Sequence, residues 1–164
     1  MTIQGLQIRH LRAEDMEEIV TLSLPAWEPV FESFKNVLGP AIYTRIWPDW
    51  EKIQTEVVEK YCREEGDVYT LVAEVDGDVA GFLTYELKSE TKVGEVVLLA
   101  VHPAYQNQEI GTLLNNTALD EMRASGMKLA EVATGGDPGH APARRSYEKA
   151  GYTGLPLMRY YKDL

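Results

Sequence analysis

The residues best suited to chemistry lie between Gly94 and Thr112. The apolar run from Glu95 to Val101, rich in valine, predicts a strand buried on both faces, and Pro103 ends it because proline cannot donate to a strand ladder. After a short polar loop, apolar residues recur every fourth position, which is typical of one face of a helix: Ile110, Leu114, Ala118 and Met122. A helix that opens at a glycine after such a loop offers free backbone N–H groups, which bind phosphate without lysine or arginine.

Glu95 is a candidate general base on this strand. It opens an otherwise apolar run, where burial raises the pKa of a carboxyl group. A solvated strand start explains a glutamate after Gly94 equally well, so both interpretations stay open. Histidine, cysteine and carboxylate residues are too scattered to indicate a metal site or a Cys–His nucleophile pair. The loop from Gly135 to Gly139 is not followed by the Gly-Lys-Ser/Thr of a P-loop.

The rest of the pattern predicts the elements that position this stretch. A strand from Leu6 to Leu11 and a helix from Glu14, closed by Pro25, precede a region from Trp27 to Trp50 that prolines divide into short helical pieces. Further elements are a helix from Asp49 to about Glu65, strands at Val68–Val75, Val79–Leu87 and Lys128–Thr134, a helix from Pro142 to Ala150, and two strand pieces from Tyr152 to Lys162. This order is α+β with a mixed sheet, in one domain over residues 1–164.

Composition narrows the class of protein. A chain of 164 residues with 45% hydrophobic residues is expected to fold as one globular domain. No apolar run approaches the roughly 20 residues that span a membrane, and Met1 to His10 lack the layout of a secretory signal. The single cysteine suits a reducing compartment, so we expect a cytoplasmic protein. A net charge of −10 argues against nucleic acid and favours cationic partners, such as amines.

Three segments resemble motifs of the GNAT N-acetyltransferases. The family's pyrophosphate loop has the pattern Gln/Arg-x-x-Gly-x-Gly/Ala, which resembles Gln106-Asn107-Gln108-Glu109-Ile110-Gly111. Its strand ending Leu-x-Val-x-Pro resembles Leu99-Ala100-Val101-His102-Pro103. Its Ala-x-x-x-Tyr-Glu-Lys-x-Gly-Phe segment is similar to the stretch from Ala143 to Tyr152. Each motif is short, and their order and spacing together carry the resemblance.

The resemblance implies a fold and an acyl donor. The GNAT fold is a mixed, mostly antiparallel sheet of six to seven strands flanked by about four helices, in which two splayed parallel strands hold acyl-CoA. By match, the backbone of Leu99, Ala100 and Val101 pairs with the pantetheine arm. The pyrophosphate cradle is expected from Gln106, Asn107, Gln108, Glu109, Ile110, Gly111 and Thr112, with Ala143 and His140 also beside the coenzyme.

The resemblance also implies two catalytic roles. Tyr147 matches the general acid that protonates the departing thiolate, because a phenol with a pKa near ~10 is protonated at pH 7. A core aromatic is the alternative interpretation of the same residue. Glu95 matches the glutamate that histone-acetylating members use as base, although many members work through ordered water. Direct attack without a covalent enzyme intermediate is expected, since no activated nucleophile is visible.

The chain departs from the family pattern at three positions. Glu109 stands where the family usually has glycine, and Gln108 replaces a common lysine or arginine. The Glu109 side chain therefore either faces solvent or weakens coenzyme binding by repelling phosphate. His140 stands where asparagine is frequent, and an imidazole can substitute as a hydrogen-bond donor.

The expected function is transfer of an acetyl group from acetyl-CoA to a primary amine, with no metal. The acceptor is a small-molecule or peptide amine, and Trp27 and Phe31, four residues apart, are expected to form a wall of its pocket. Two alternatives remain: an acyl-CoA-binding sensing module with little turnover, suggested by Glu109, and a protein or peptide N-acetyltransferase. The sequence leaves the oligomeric state open, although family members often dimerise, so a homodimer is one expectation.

Overall fold

The computed structural model describes residues 3–164, so residues 1 and 2 of the predicted domain lie outside it. Within that range, five strands form one sheet in the order in which they follow along the chain. They are β1 (Leu6–His10), β2 (Val68–Val75), β3 (Asp78–Lys88), β4 (Val93–Val101) and β5 (Leu129–Val132). β1 to β4 are antiparallel neighbours, and only β4 and β5 run parallel. The α+β class and the mixed sheet are confirmed.

Helices cover both faces of the sheet. Their bounds are α1 (Met16–Ile46), α2 (Trp50–Cys62), α3 (Ile110–Ala124) and α4 (Ala141–Lys149). The predicted apolar stripe of α3 is buried against β2, β3 and β4 on one face. α1 and α2 bury residues such as Ile19 and Val58 against Val72 and Phe82 on the other face. Burial on both faces explains why β4 reads as a nearly continuous apolar run.

β4 separates from β5 halfway along its length. The parallel pairing ends at Val96 and Val132, whereas β4 stays paired with β3 as far as Val101. The β3–β4 register shifts beside Val97, which has no partner across the ladder and forms a bulge. From Val97 onward, the β4 edge that faces β5 therefore has no ladder partner. This is the splayed pair of parallel strands expected from the sequence.

The first helix differs from the prediction. Pro25 was expected to close it, but the helix continues through Pro25 and Pro29 as far as a kink at Gly39, where φ is 76°, and a second helical segment then runs to Ile46. Of the prolines expected to divide residues 27–50, Pro40 directly follows this kink and Pro48 lies between α1 and α2, whereas Pro29 breaks no helix. A proline inside a helix removes one hydrogen bond, and burial of Ile19, Leu22 and Phe31 on both sides of the two prolines compensates for that loss. Tertiary packing has overridden the local signal.

The C-terminal segment also differs. Residues 152–164 form no strand, so the sheet has five strands rather than the six to seven expected. In the described chain, no backbone–backbone hydrogen bond follows the one from Tyr152 N–H to the Tyr147 carbonyl. The predicted strand pieces from Tyr152 to Lys162 are therefore wrong, because a strand needs a neighbouring edge to pair with, and local sequence does not supply one.

Candidate functional site

A cleft of about 600 Å³ lies where β4 and β5 separate. Its floor is the β4 segment from Val96 to Val101. Val132, the last residue of β5, and the next two residues, Ala133 and Thr134, also line it. The loop before α3, the beginning of α4 and a wall from α1 and α2 complete the lining. Most of the predicted site residues meet here: Leu99, Ala100, Val101, Gln106, Asn107, Glu109, Ile110, Gly111, Thr112, His140, Ala143, Tyr147 and Trp27.

The N-terminus of α3 opens into the cleft. The first hydrogen bond of this helix runs from the Leu113 N–H to the Glu109 carbonyl, 2.9 Å away. The N–H groups of Ile110, Gly111 and Thr112 therefore have no partner on the preceding turn, and all three residues line the cleft. A helix of 15 residues also presents the positive end of its dipole there. The arrangement suits an anion held by backbone donors.

Gly111 leaves room for such an anion. A Cβ atom placed on Gly111 would meet only Val101 Cγ2, at 3.7 Å, which is an ordinary van der Waals contact. No packing within the protein therefore demands a glycine at this position. Because Gly111 lines the cleft, the space that its missing side chain leaves is available to a ligand.

The Glu109 side chain points away from these donors. It is 61% exposed and its Oε1 lies 3.3 Å from Lys149 Nζ, on the surface. The Glu109 backbone has φ 62°, in the left-handed region that favours glycine, which explains the family preference by conformation as well as by charge. The outward placement supports the interpretation in which Glu109 leaves the cradle intact.

The two glutamines of the loop hold it in shape. Gln106 Nε2 donates to the Val101 carbonyl at 3.0 Å, which joins the loop to the end of β4. Gln108 Nε2 donates to the Ala104 carbonyl at 3.3 Å, and Gln108 is the one predicted loop residue that does not line the cleft. In this arrangement, any contact between Gln108 and the coenzyme would be made by the backbone of the loop and not by the Gln108 side chain.

Tyr147 lies on α4 and is buried against the cleft. Burial, with a smaller contribution from neighbouring Tyr152, raises the pKa of Tyr147 to about 12. Its ring is packed edge-on against Tyr152, with centroids 5.6 Å apart. The phenol is therefore protonated throughout the neutral range and faces the site from the side of α4.

Glu95 lies outside the residues that line the cleft. Its carboxylate forms an ion pair with Lys88, whose ammonium group also lies 3.0 Å from Glu131. The pKa of Lys88 is raised by these two carboxylates, Glu95 first and Glu131 second. The sequence interpretation placed Glu95 in an apolar environment, whereas a cation on the neighbouring strand stabilises its charge. Its role as a base stays a prediction.

His140 is fixed by the loop that precedes α4. Its Nδ1 lies 2.5 Å from Asp137 Oδ1. Burial raises the pKa of Asp137, but hydrogen bonds with Ser33 and His140 outweigh burial and hold that pKa below its usual range. Arg144 donates to the carbonyls of Gly135 and Asp137 and so ties the same loop to α4. The nine-residue spacing between Arg144 and Gly135 gives no local signal of this contact in the sequence.

Trp27 and Phe31 have different surroundings. Trp27 lines the cleft and packs against Phe82 of β3, with centroids 6.2 Å apart. Phe31 is buried and stacks on Trp50 at 4.6 Å, in an aromatic cluster that also contains Phe34 and Trp47. Phe34 reaches His140, at 5.5 Å. Of the two residues predicted to contact the acceptor, only Trp27 lines the cleft. Phe31 packs within the aromatic cluster and does not line it.

Gln54 also lines the cleft and was missed. The sequence pattern predicts Ile53, Val57, Val58 and Tyr61 on the inward face of α2, and in the structure Val58 is buried and the other three are half-buried. The fully buried residues of α2 are Gln54, Val58 and Cys62. Their spacing of four is itself a helical stripe, and a glutamine on an apolar stripe was the available signal.

Within residues 3–164, no group of three or more histidine, cysteine, aspartate or glutamate side chains is arranged to hold a metal ion. Over the same range, none of the helices combines the length and the apolar character needed to cross a bilayer.

The amino-acid sequence is similar to those of known acetyltransferases. Residues 35–152 match the model of the acetyltransferase (GNAT) family. A mycothiol acetyltransferase from Sanguibacter keddieii is 36% identical over 88 residues. That match spans 51% of this chain but only 27% of the relative's length.

Solved structures with the same fold cover most of the chain. One is described as a GNAT-family acetyltransferase from Desulfovibrio desulfuricans, with a TM-score of 0.69, 21% identity, and coverage of 94% of this chain and 88% of that chain. Another is the PaiA N-acetyltransferase from Thermoplasma acidophilum in complex with coenzyme A, with a TM-score of 0.69, 19% identity, and coverage of 90% and 89%. At these identities the likeness establishes the shared fold.

Proposed function

Because this chain belongs to the acetyltransferase (GNAT) family, we propose that it transfers an acetyl group from acetyl-CoA to a primary amine. One observation carries the proposal: the unpaired edge of β4 and the free N–H groups of α3 lie in the same cleft. The first suits the amide-containing pantetheine arm and the second suits its pyrophosphate.

The residues present fit the acyl donor. Backbone groups of Leu99, Ala100 and Val101 are available to pair with pantetheine, since β5 has diverged by this point. The N–H groups of Ile110, Gly111 and Thr112 are available to the phosphates, and the missing side chain of Gly111 leaves the space they need. Glu109, the residue that favoured a degenerate binding module, faces Lys149 instead of the cradle.

The chemistry proposed for the cleft is direct acyl transfer. The neutral amine nitrogen attacks the thioester carbonyl carbon, a C–N bond forms, and the C–S bond breaks. Tyr147 donates its phenolic proton to the departing sulfur, and its high pKa keeps that proton in place until the thiolate forms. The nitrogen loses a proton to water in the cleft, since Glu95 is not among the residues that line the cleft and its carboxylate contacts Lys88. The tyrosinate then regains a proton from solvent.

Backbone donors contribute the electrostatic part of the mechanism. Val97 forms the bulge at which β4 leaves β5, and its backbone lines the cleft without a ladder partner on β3. A backbone N–H in this position is suited to polarise the thioester carbonyl as negative charge develops on its oxygen. Positioning by the two strand edges supplies the remainder of the rate enhancement.

The first test is binding of acetyl-CoA, followed by thermal unfolding. Ligand at about 100 times its dissociation constant stabilises a protein by roughly 2.7 kcal/mol, so a clear rise in the unfolding midpoint is expected. In Gly111→Asp, we expect an unchanged or slightly higher midpoint without ligand, because a carboxylate suits the N-terminus of a helix, and a much smaller rise with acetyl-CoA, because the same carboxylate repels its phosphates.

Gly154→Asp is the matched control. A Cβ on Gly154 meets nothing within 4 Å, and Gly154 does not line the cleft, so the response of this variant to acetyl-CoA should equal that of the unmodified chain. The absence of any midpoint rise in the unmodified chain would overturn the proposed function. An equal rise in Gly111→Asp would remove the backbone cradle from the proposal. The acceptor of the mycothiol relative is not carried over, since the match covers 27% of that protein.

A further inference from the structure

Gln54 carries a hydrogen-bond donor that has no partner. The residue is 7% exposed, and among the described residues its Nε2 is the buried side-chain polar atom without a hydrogen bond. Buried amide groups in folded proteins almost always find partners, because an unsatisfied donor has lost its hydrogen bonds to water without replacement. A buried donor without a partner, such as Gln54 Nε2, therefore indicates a ligand that is bound during function or requires another explanation.

Gln54 lines the cleft, and rotation about the last bond of its side chain turns the buried Nε2 toward a ligand there. The wall that α1 and α2 present to the cleft consists of Ala26, Trp27, Pro29, Val30 and Gln54. The polar side-chain groups of this wall are the carboxamide of Gln54 and the indole N–H of Trp27. The coenzyme cradle is built from other elements, the loop before α3 and the edge of β4. The α1/α2 wall is therefore left for the acceptor.

The charged residues available in the cleft lining indicate which functional groups the acceptor can carry beside its amine. Within the described residues, the lining includes neither lysine nor arginine, and the unpaired group on the α1/α2 wall is a neutral donor. A carboxylate placed on this wall would lose its hydration without gaining a cation, which is costly. A hydroxyl or amide carbonyl oxygen needs only one good donor.

Resting on the function proposed above, we propose that Gln54 Nε2 donates a hydrogen bond to a neutral oxygen of the acceptor. The acceptor is then an amine with a hydroxyl or amide carbonyl oxygen nearby, such as an amino alcohol, an amino sugar or an aminoacyl amide. Plain alkyl amines and amino acids with a free carboxylate are poorer acceptors. Gln54 is in this account a specificity-determining residue.

The test compares defined amines in the acetyl-CoA-dependent reaction, followed by release of the free coenzyme A thiol. Ethanolamine and alaninamide carry a neutral oxygen, propylamine is a similar amine without one, and alanine carries a carboxylate. We expect kcat/KM for ethanolamine or alaninamide to exceed that for propylamine and alanine by about tenfold. In Gln54→Met, which keeps the volume and removes the donor, the ratio of kcat/KM for ethanolamine to kcat/KM for propylamine should fall to about one.

Stability provides an independent readout. Without ligand, Gln54→Met should unfold at the same temperature or higher, because it replaces an unsatisfied buried donor by an apolar group. Gln7→Met is the control: this exposed glutamine lies on β1, away from the cleft, and donates to Glu74 at 2.8 Å. It should change neither the amine preference nor the acetyl-CoA response.

The outcomes separate the two proposals. No thermal shift with acetyl-CoA in the unmodified chain would overturn the proposed function itself. A normal shift, combined with preference for propylamine or alanine or with no transfer to ethanolamine and alaninamide, would overturn the inference about the acceptor alone. A marked loss of stability in Gln54→Met, or an equal loss of activity with every amine, would show that the carboxamide is already satisfied and has a structural role.

Discussion

At the scale of single residues, the structure separates two side chains that the sequence placed together in catalysis. Tyr147 faces the cleft from α4 in a buried position, whereas Glu95 is held by Lys88 outside the cleft lining. A proton donor is useful only near the leaving sulfur, and a base is useful only near the attacking nitrogen. The proposed chemistry therefore depends strongly on Tyr147 and little on Glu95.

Substitution of Tyr147 tests this difference. Tyr147→Phe removes the proton donor and keeps the ring, so we expect kcat to fall by about 100-fold or more, with binding of acetyl-CoA nearly unchanged. Glu95→Gln serves as the comparison, and we expect its kcat to change by less than about threefold, since it removes only a partly exposed ion pair. Steady-state kinetics measures both. A large effect of Glu95→Gln together with a small effect of Tyr147→Phe would reverse the assignment.

The pH profile adds a second readout for the same residue. Burial raises the pKa of Tyr147 to about 12, so the donor stays protonated and active at all lower pH values and is lost only as the pH approaches 12. We therefore expect no alkaline fall in kcat between pH 8 and pH 10. A fall in this range that is absent in Tyr147→Phe would contradict the raised pKa.

At the scale of elements, the site depends on how closely β3 and β4 approach one another. A Cβ on Gly81 of β3 would lie 2.7 Å from the Ala100 carbonyl oxygen and 3.3 Å from Val101 Cα, both backbone atoms that cannot easily move. Ala100 and Val101 belong to the β4 segment that lines the cleft. The small size of Gly81 thus sets the position of the β4 edge to which pantetheine is proposed to bind.

Gly81→Ala is expected to disturb both stability and binding. Overpacking of this kind costs about 1–3 kcal/mol, which lowers the unfolding midpoint by several degrees in a chain of this size. Displacement of Ala100 should also reduce the rise that acetyl-CoA produces. Thermal unfolding with and without acetyl-CoA measures both effects, against Gly154→Ala as the unperturbed glycine replacement. An unchanged midpoint in Gly81→Ala would show that β3 and β4 can separate freely.

Elements encoded by local pattern were predicted well from the sequence. The strand β4, the polar loop and α3 follow one another within about 30 residues, so periodicity and the positions of Pro103 and Gly111 were sufficient. Cleft residues on this stretch, and Tyr147 on α4, could be identified by motif. The divergence of β5 from β4 was available only through resemblance to the family.

Features that depend on distant neighbours could not be predicted. The ion pair of Glu95 requires the β3–β4 register, which brings Lys88 alongside. The continuation of α1 through Pro25 depends on a buried face that local propensity does not reveal. The orphan donor of Gln54 emerges only when the α1/α2 wall is assembled over the cleft. The strand pieces predicted from Tyr152 to Lys162 do not form, because local sequence says nothing about the neighbouring strand that a ladder needs.

At the scale of the whole molecule, the net charge of −10 repels one proposed substrate, acetyl-CoA, and attracts the other, a cationic amine. Acetyl-CoA is an anion and meets a cleft whose described lining contains neither lysine nor arginine. Its phosphates are therefore proposed to rely on backbone dipoles, against a repulsive overall field. A cationic amine is attracted by the same field. Added salt screens both interactions over about 10 Å at 0.1 M.

The two substrates should consequently respond to salt with opposite signs. Between 50 and 300 mM NaCl, we expect the dissociation constant of acetyl-CoA to stay constant or to fall, because screening removes repulsion and breaks no phosphate–cation pair. Over the same range, kcat/KM for a cationic amine should fall, since its attraction to the protein is weakened. Isothermal titration and initial rates measure the two quantities, with sucrose at matched osmolality as the control for non-ionic solute effects. Weakening of acetyl-CoA binding by several-fold would instead show that lysine or arginine side chains hold its phosphates, and the backbone cradle at α3 would then be a minor contributor.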